Sequence, residues 1–329
     1  MKVFGKFLGR VLLSVLGIGC AMAFLGPYEK ISVQPDFDAS AVGDDVDVYF
    51  ATQEARFNDL IAGVEKRVIW ALGKDVKTDL AIVYVHGFSA TSEEIRPVPD
   101  RVAKELGANL VFTRLNGHGR DGAALANARV QDWVNDVSEV IEIARITAEE
   151  VVLIATSTGG TVVAAMLDQE DAMRDVKGAI LISPNFGIND PLAPLLTLPA
   201  ARQWVPILGG KERSWTPQNE DHGQYWTTSY PSTAIFQMAA LVKHAAEKDY
   251  SSVDIPTLFW FSDADKVVSA KVTRDVLEGW GGTVTISQRD AEAEGMDPNA
   301  HVIAGDILSP GQNGEAVRSF VKFISGLEK

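Results

Sequence analysis

The sequence has a single cysteine, Cys20, so it cannot form an intrachain disulfide or a cysteine-rich zinc site. It also has too few basic residues for a nucleic-acid partner, with 30 Lys and Arg against 44 Asp and Glu and a net charge of −14. The sequence contains no glycine-rich phosphate loop, dinucleotide fingerprint or metal-ligand spacing. We therefore expect a protein that binds no nucleic acid and needs no cofactor.

The chain is long enough to fold around its own hydrophobic core. It has 329 residues, of which 46% are hydrophobic and 22% charged, values ordinary for a globular protein. This length predicts one large or two modest domains. A core of that size needs no disulfide or structural metal to be stable.

Residues 1–27 predict an export signal or a membrane anchor. Lys2, Lys6 and Arg10 precede an uncharged run, Val11 to Leu25. A basic head followed by an apolar run is typical of a signal segment. We expect the run to be retained as a transmembrane anchor, with the body of the protein outside the cytoplasm at the inner membrane.

Two other fates of this segment stay open. Cleavage after Ala23, in the small-residue site Ala21-Met22-Ala23, would release the protein into the periplasm. Lipidation of Cys20 is less favoured, because a bacterial lipobox has Leu three residues before the cysteine and this chain has Gly17 there.

The remainder of the chain predicts a linker over residues 28–64 and an α/β domain over residues 65–329. Apolar runs rich in β-branched residues alternate with helical patterns, which indicates a doubly wound, mostly parallel sheet. These runs lie at 68–72, 80–85, 110–112, 151–155, 179–182, 257–261 and 283–286. The segment 186–252 between two predicted strands has too many residues for a plain loop, so we predict a helical lid there.

A candidate nucleophile, Ser157, follows the fourth run. The segment Ala155-Thr156-Ser157-Thr158-Gly159 fits the G-x-S-x-G nucleophile elbow, with Ala in the first glycine position. Small residues two positions either side of the serine let the strand and the helix approach at a sharp turn. The helix that follows directs its positive N-terminal end toward a developing oxyanion.

The oxyanion would be bound by backbone amides. We assign these donors as the N–H groups of Phe88 and Thr158, because the loop after an earlier strand usually supplies the second amide. Phe88 stands in His86-Gly87-Phe88, directly after a buried run. We interpret His86 itself as a structural residue that braces this loop.

An acid and a base should follow the serine in chain order. Of the five histidines, His301 alone follows both Ser157 and the strand-end acids, so we predict it as the base. We predict Asp265 as the acid that orients it, with Asp263 in the same short loop as the alternative.

These residues resemble the α/β-hydrolase superfamily, most closely its lid-bearing serine esterases of the monoglyceride lipase, carboxylesterase and serine aminopeptidase type. The motifs that carry the resemblance are His86-Gly87-Phe88, Asn116-Gly117-His118-Gly119, Thr156-Ser157-Thr158-Gly159-Gly160, Asp263 to Val268, and His301. The resemblance implies hydrolysis of carboxylic esters or amides and a non-catalytic role for His118. A serine at the elbow, where dehalogenases and epoxide hydrolases have aspartate, disfavours those enzymes.

The predicted function is a serine esterase acting on acyl or lipid-derived esters. Aromatic and apolar residues of the insertion would form an apolar pocket, among them Trp204, Trp215, Tyr225 and Trp226. The alternatives are an acyltransferase with the same triad, a serine aminopeptidase, and a non-catalytic binding protein on this fold. An aminopeptidase would need acids such as Asp190, Glu220 and Asp221 to hold a free amine.

Overall fold

The computed structural model describes residues 2–327, which form a central sheet covered by helices on both faces. The strands are β1 Arg67–Ile69, β2 Thr78–Val85, β3 Asn109–Phe112, β4 Ala148–Thr156, β5 Val176–Ile182, β6 Glu212–Ser214, β7 Ser229–Pro231, β8 Thr257–Phe261 and β9 Val284–Gln288. The helices are α1 Lys2–Leu25, α2 Val46–Glu54, α3 Val98–Leu106, α4 Gly122–Asn127, α5 Val130–Thr147, α6 Ser157–Met166, α7 Glu170–Met173, α8 Ala201–Gly209, α9 Glu220–Tyr225, α10 Ile235–Glu247, α11 Ala270–Leu277 and α12 Asn313–Ser325.

Seven strands form the main sheet in the order β1-β3-β2-β4-β5-β8-β9. β1 runs antiparallel to β3, and the other neighbours are parallel. The apolar residues of the central strands β2, β4, β5 and β8 are almost all buried, because helices cover both faces of a parallel sheet. The predicted mostly parallel α/β fold is therefore confirmed.

The core consists of two layers, one on each face of the sheet. One layer packs apolar side chains of α5 and α6 against the sheet and those of α10 against these two helices, and it contains the fully buried Trp133. The other packs α3 and α12 against the opposite face, around Trp260 and Phe320. The carboxyl ends of the parallel strands lie at one edge, which is where ligands bind in such folds.

The predicted membrane anchor is wrong. Within residues 2–327, no helix is both long enough and apolar enough to cross a membrane. In α1 the uncharged stretch, Val11 to Leu25, would span about 22 Å at 1.5 Å per residue, and a bilayer core is roughly 30 Å thick. This finding also contradicts the predicted inner-membrane location, and export to the periplasm is not shown.

Residues 27–36 form a strap that joins the insertion to the body. The amide of Ala200 donates to the carbonyl of Pro27 at 2.8 Å, and Arg202 forms two hydrogen bonds with Glu29. Further along, Gln169 of the body donates to the carbonyl of Val33 at 2.8 Å. The segment predicted as a linker also contains α2, whose Phe50 is buried in the core.

The insertion between β5 and β8 has its own local structure. It contains a 3-10 turn at Ala193–Thr197, helices α8, α9 and α10, and the antiparallel pair β6 and β7. The amide of Thr227 in this segment donates to the carbonyl of Ser89, in the loop after β2, at 2.8 Å. The domain boundaries and the role of this segment as a lid stay predictions.

Candidate active site

Ser157 lies at the apex of a sharp turn between β4 and α6. Its φ is +51°, in the left-handed region that non-glycine residues seldom adopt. The neighbouring small residues permit this turn: a Cβ on Gly159 would come within 2.4 Å of the carbonyl oxygen of His86. The geometry is that of a strand–turn–helix elbow with the serine side chain at the carboxyl edge of the sheet.

The structure brings three of the predicted site residues into one hydrogen-bonded chain. The Nε2 atom of His301 lies 3.0 Å from the Oγ of Ser157, and its Nδ1 atom lies 2.8 Å from the Oδ2 of Asp265. In the tautomer with the proton on Nδ1, His301 donates to Asp265 and accepts from Ser157. The other carboxylate oxygen of Asp265 accepts from the amides of Val267 and Val268, at 2.8 and 2.9 Å.

Two opposing effects determine the charge of His301. Burial penalises the protonated ring, but the carboxylate of Asp265 attracts it and hydrogen-bonds to it. Glu94 and Asp297 add smaller attractions, and the net result is a pKa of His301 above its usual value. The ring is therefore a stronger base than a free imidazole.

Asp263, the alternative acid, lies outside this chain of residues. Its carboxylate forms hydrogen bonds with Arg274, at 2.9 and 2.7 Å, and with Gln288. Its side chain is about half exposed, whereas that of Asp265 is buried. The geometry thus favours Asp265 over Asp263 as the partner of His301.

Phe88 and Thr158, the predicted oxyanion donors, line the same cavity as Ser157. Thr158 is in the first turn of α6, where backbone amides have no partner inside the helix. His86 fixes the other loop, because its Nε2 accepts from the amide of Leu115 at 3.1 Å and its Nδ1 donates to the carbonyl of Gly87 at 2.9 Å. Burial holds the pKa of His86 well below its usual value, so the ring is neutral.

The other histidines do not approach Ser157 in this way. His118 is buried, and burial lowers its pKa to about 4, while its Nδ1 lies 3.1 Å from the carbonyl of Asn116. His222 lines the cavity between Trp215 and Trp226, with ring centroids 4.6 and 4.7 Å away.

The cavity beside Ser157 has a volume of about 360 Å³. Its wall combines residues of the body with residues of the insertion. The insertion contributes Trp215, Gln218, His222, Trp226, Tyr230 and Met238. A largely apolar wall with a few polar groups is typical of a small-molecule site.

The sequence reasoning missed two buried acids in this cavity. Asp297 accepts from the amides of His301 and Val302 at 3.3 and 3.2 Å, and from the side chain of Gln218 at 2.9 Å. It therefore fixes the loop that carries His301. Its position four residues before the histidine was a signal that could have identified it.

The second buried acid is Glu94, in the segment between β2 and α3. It accepts from the amide of Gly87 at 2.8 Å and from the hydroxyl of Tyr84 at 2.9 Å. Burial raises its pKa to about 7, although both hydrogen bonds act in the opposite direction. No motif marks Glu94 in the sequence.

Between residues 2 and 327, no group of three or more His, Cys, Asp or Glu side chains is arranged so that it could hold a metal ion.

Comparison with known proteins identifies the family to which this chain belongs. Residues 76–288 match the family Hydrolase_4, described as serine aminopeptidase S33. The thermostable monoacylglycerol lipase of Bacillus sp. (strain H-257) is 22% identical over 231 residues, which cover 70% of this chain and 86% of that lipase.

Solved structures of α/β hydrolases share the architecture. A structure from work on LipS and LipT, two metagenome-derived lipolytic enzymes, superposes with a TM-score of 0.64 at 17% identity, covering 81% of this chain and 99% of that chain. A soluble variant of monoglyceride lipase from Saccharomyces cerevisiae superposes with a TM-score of 0.61 at 10% identity, covering 80% and 91%. Together with the family match, these likenesses confirm the predicted α/β-hydrolase fold of lipase or esterase type.

Proposed function

Since the chain belongs to the serine aminopeptidase S33 family and is a lipase- or esterase-like α/β hydrolase, we propose that it cleaves carboxylic esters through an acyl-enzyme on Ser157. The observation that carries this proposal is the position of His301 between Ser157 and Asp265, at 3.0 and 2.8 Å. A serine hydroxyl is a weak nucleophile near neutral pH until an adjacent base takes its proton.

In the proposed reaction, Nε2 of His301 takes the proton of Ser157 as Oγ bonds to the ester carbonyl carbon. The tetrahedral intermediate then collapses: the bond to the alcohol oxygen breaks, and His301 gives its proton to that oxygen. Water repeats the sequence on the acyl-enzyme, with His301 as base, and releases the acid. Asp265 holds the ring in the required tautomer and stabilises its protonated form.

The developing oxyanion would accept hydrogen bonds from the amides of Phe88 and Thr158. The N-terminal end of α6 adds its positive dipole at the same place. One such donor is worth about 3 kcal/mol of transition-state stabilisation.

For the substrate we propose an ester with an apolar acyl chain. Support comes from the aromatic side chains Trp215, Trp226 and Tyr230 in the cavity wall and from the named activity of the monoacylglycerol lipase relative. The acids considered for an aminopeptidase, Asp190, Glu220 and Asp221, are not among the described residues that line the cavity. An acyltransferase would use the same residues with an alcohol in place of water, and product analysis with a competing alcohol distinguishes the two.

The test is labelling of the full chain with a fluorophosphonate, which reacts with activated serines. The parent should be labelled and Ser157→Ala should not be. Ser89→Ala, which removes another serine of the same cavity, is the matched control and should still be labelled. A folded parent that resists the probe would argue for the non-catalytic binding protein instead.

A further inference from the structure

Glu94 is a buried carboxyl group that the proposed reaction does not use. It is 2% exposed, and its side chain lines the cavity together with Ser157 and His301. A buried carboxyl group is costly unless it is hydrogen-bonded, so its presence beside a reactive serine needs an explanation.

One oxygen of Glu94 connects the two turns that form the site. Its Oε2 accepts from the amide of Gly87, the residue directly before Phe88, at 2.8 Å. It also accepts from the hydroxyl of Tyr84 at 2.9 Å, and that hydroxyl lies 3.1 Å from the Oγ1 of Thr156, directly before Ser157. The loop after β2 and the elbow after β4 are thus linked through a single carboxyl oxygen.

The other oxygen of Glu94 lies beside Gly87, next to the side chain of Ser157. A Cβ built on Gly87 would lie 2.8 Å from the Oε1 of Glu94 and 3.1 Å from the Cβ of Ser157. Both side chains therefore approach Gly87 on the same side, and a larger residue there would have to displace the buried, hydrogen-bonded carboxyl group of Glu94. By these two distances, Oε1 lies at most about 6 Å from the Cβ of Ser157.

Taking the proposed function as its basis, we propose that Glu94 is a positioning residue: it holds the Gly87–Phe88 turn for oxyanion binding, and its carboxylate acts electrostatically on His301. It does not touch the reacting atoms in this role.

The charged and titratable groups around the pair define the pH effect. Tyr84 and His301 face Glu94, and Asp265, Glu94 and Asp297 face His301. Ionised Glu94 favours the protonated ring and so raises the pKa of His301. Because the base must be neutral to act, this charge moves the acid limb of the activity profile to higher pH. Since Glu94 and His301 interact, the midpoint of that limb is a property of the pair and not of either residue alone.

The experiment compares the full-length parent with Glu94→Gln, Glu94→Leu and the neighbouring control Glu93→Gln. Glu94→Gln keeps an acceptor oxygen but removes the charge, whereas Glu94→Leu removes both. For each variant, kcat and KM for a p-nitrophenyl ester are measured from pH 5 to 9. The titration of His301 is followed by NMR, with His301→Gln to assign its signal.

We expect Glu94→Gln to move the acid limb and the titration of His301 to lower pH, with kcat at pH 9 within about tenfold of the parent. Glu94→Leu should lower kcat about 10- to 100-fold with little change in KM, as misplacement of an oxyanion donor does. Glu93→Gln, whose partners are Arg67 and Arg96, should leave the limb where it is.

Failure of this inference is separable from failure of the proposed function. If Glu94→Gln lowers the whole profile without moving its midpoint or the titration of His301, Glu94 is structural only and the inference is overturned. If the parent hydrolyses no ester and takes no probe, the proposed function falls. The NMR titration then still decides whether Glu94 acts on His301.

Discussion

Asp265 and His301, 36 residues apart in the sequence, are joined by a hydrogen bond of 2.8 Å between Oδ2 and Nδ1. Both residues lie in loops at the carboxyl edge of the sheet, after β8 and β9. Parallel strands bring such loops together irrespective of their separation in the chain. The pairing also distinguishes Asp265 from Asp263, which forms an ion pair with Arg274.

This distinction predicts unequal effects of two similar substitutions. Asp265→Asn should lower kcat about 10³- to 10⁴-fold, because the amide favours the wrong tautomer of His301. Asp263→Asn, its matched control in the same loop, should change kcat less than threefold, since Asp263 forms a half-exposed ion pair with Arg274 and a hydrogen bond with Gln288, and neither reaches His301. Steady-state kinetics on one ester checks both, and comparable losses would mean that the assignment of the acid is wrong.

The raised pKa of His301 predicts the acid limb of the pH profile. As the pH falls through this pKa, the ring gains a proton, can no longer accept one from Ser157, and kcat/KM declines. Since the surrounding carboxylates, Asp265 foremost and then Glu94 and Asp297, together outweigh the effect of burial, the midpoint should lie above the ordinary histidine value of about 6.5. Measurement of kcat/KM between pH 5 and 9 checks this, and a midpoint well below 6.5 would contradict it.

Glu94 predicts a pH-dependent change in stability. Its pKa is raised in the folded state from 4.5 to about 7, so the stability that its neutral form contributes is complete below 4.5 and is lost as the pH rises through 7. Glu94→Gln does not ionise, and its free energy of unfolding should exceed that of the parent by about 3 kcal/mol above pH 8. Urea unfolding at pH 5 and pH 8.5 measures the difference.

The control for this prediction is Glu93→Gln. Its carboxylate is partly exposed and pairs with Arg67 and Arg96. Its loss should cost about 0.5 kcal/mol or less, with the opposite sign. Equal stabilities of the parent and Glu94→Gln at pH 8.5 would show that Glu94 ionises without penalty.

The elbow predicts that alanine will be tolerated at one of two adjacent glycines but not at the other. Gly159→Ala would place a methyl group 2.4 Å from the carbonyl oxygen of His86, so the strand and the helix must separate. We expect it to lower the free energy of unfolding by about 2 kcal/mol and to reduce fluorophosphonate labelling. At Gly160 the nearest atoms to a Cβ are at 3.4 Å, so Gly160→Ala should be tolerated. Similar behaviour of the two variants would contradict the close approach.

The cavity wall predicts selection by acyl length. Across p-nitrophenyl esters from acetyl to dodecanoyl, kcat/KM should rise as the acyl chain buries more apolar surface against the cavity wall. Trp215→Ala should reduce this preference severalfold, because Trp215 lines the cavity. Trp204→Ala is the matched control, since Trp204, on α8, packs against a separate cluster of Ala201, Val205 and Phe236 and is not among the residues that line the cavity. A flat profile for the parent would defeat the proposal of an apolar acyl chain.

The sequence was sufficient to predict the sheet and the residues at its strand ends. Buried parallel strands are continuous apolar runs, and the sharp elbow at Ser157 requires small neighbours, so both are visible as local patterns. The strand β1 is also visible as the apolar run at 68–72, but its antiparallel direction is not, because that depends on the path of the chain. The membrane anchor predicted from the uncharged run Val11 to Leu25 is wrong, because the helix that contains this run is not long and apolar enough to cross a membrane.

Glu94 could not be identified from the sequence because its burial and its raised pKa depend on the residues that the fold places around it. In the sequence it is one of two adjacent glutamates, Glu93 and Glu94. The fold turns Glu93 toward two arginines and Glu94 toward Tyr84 and Gly87. Of the two, only Glu94 is fully buried, and this burial raises its pKa.

The strap of residues 27–36 determines where the protein can be shortened. Pro27 and Glu29 bind the insertion through Ala200 and Arg202, and Val33 binds the body through Gln169. A truncation that begins after these residues would remove the contacts that join the start of α8 to the body through the strap, but not the contacts of Thr227 with Ser89 and of Gln218 with Asp297. Truncated versions for assay or crystallisation should therefore start before Pro27, and a loss of stability on cutting within the strap would report how much these contacts contribute.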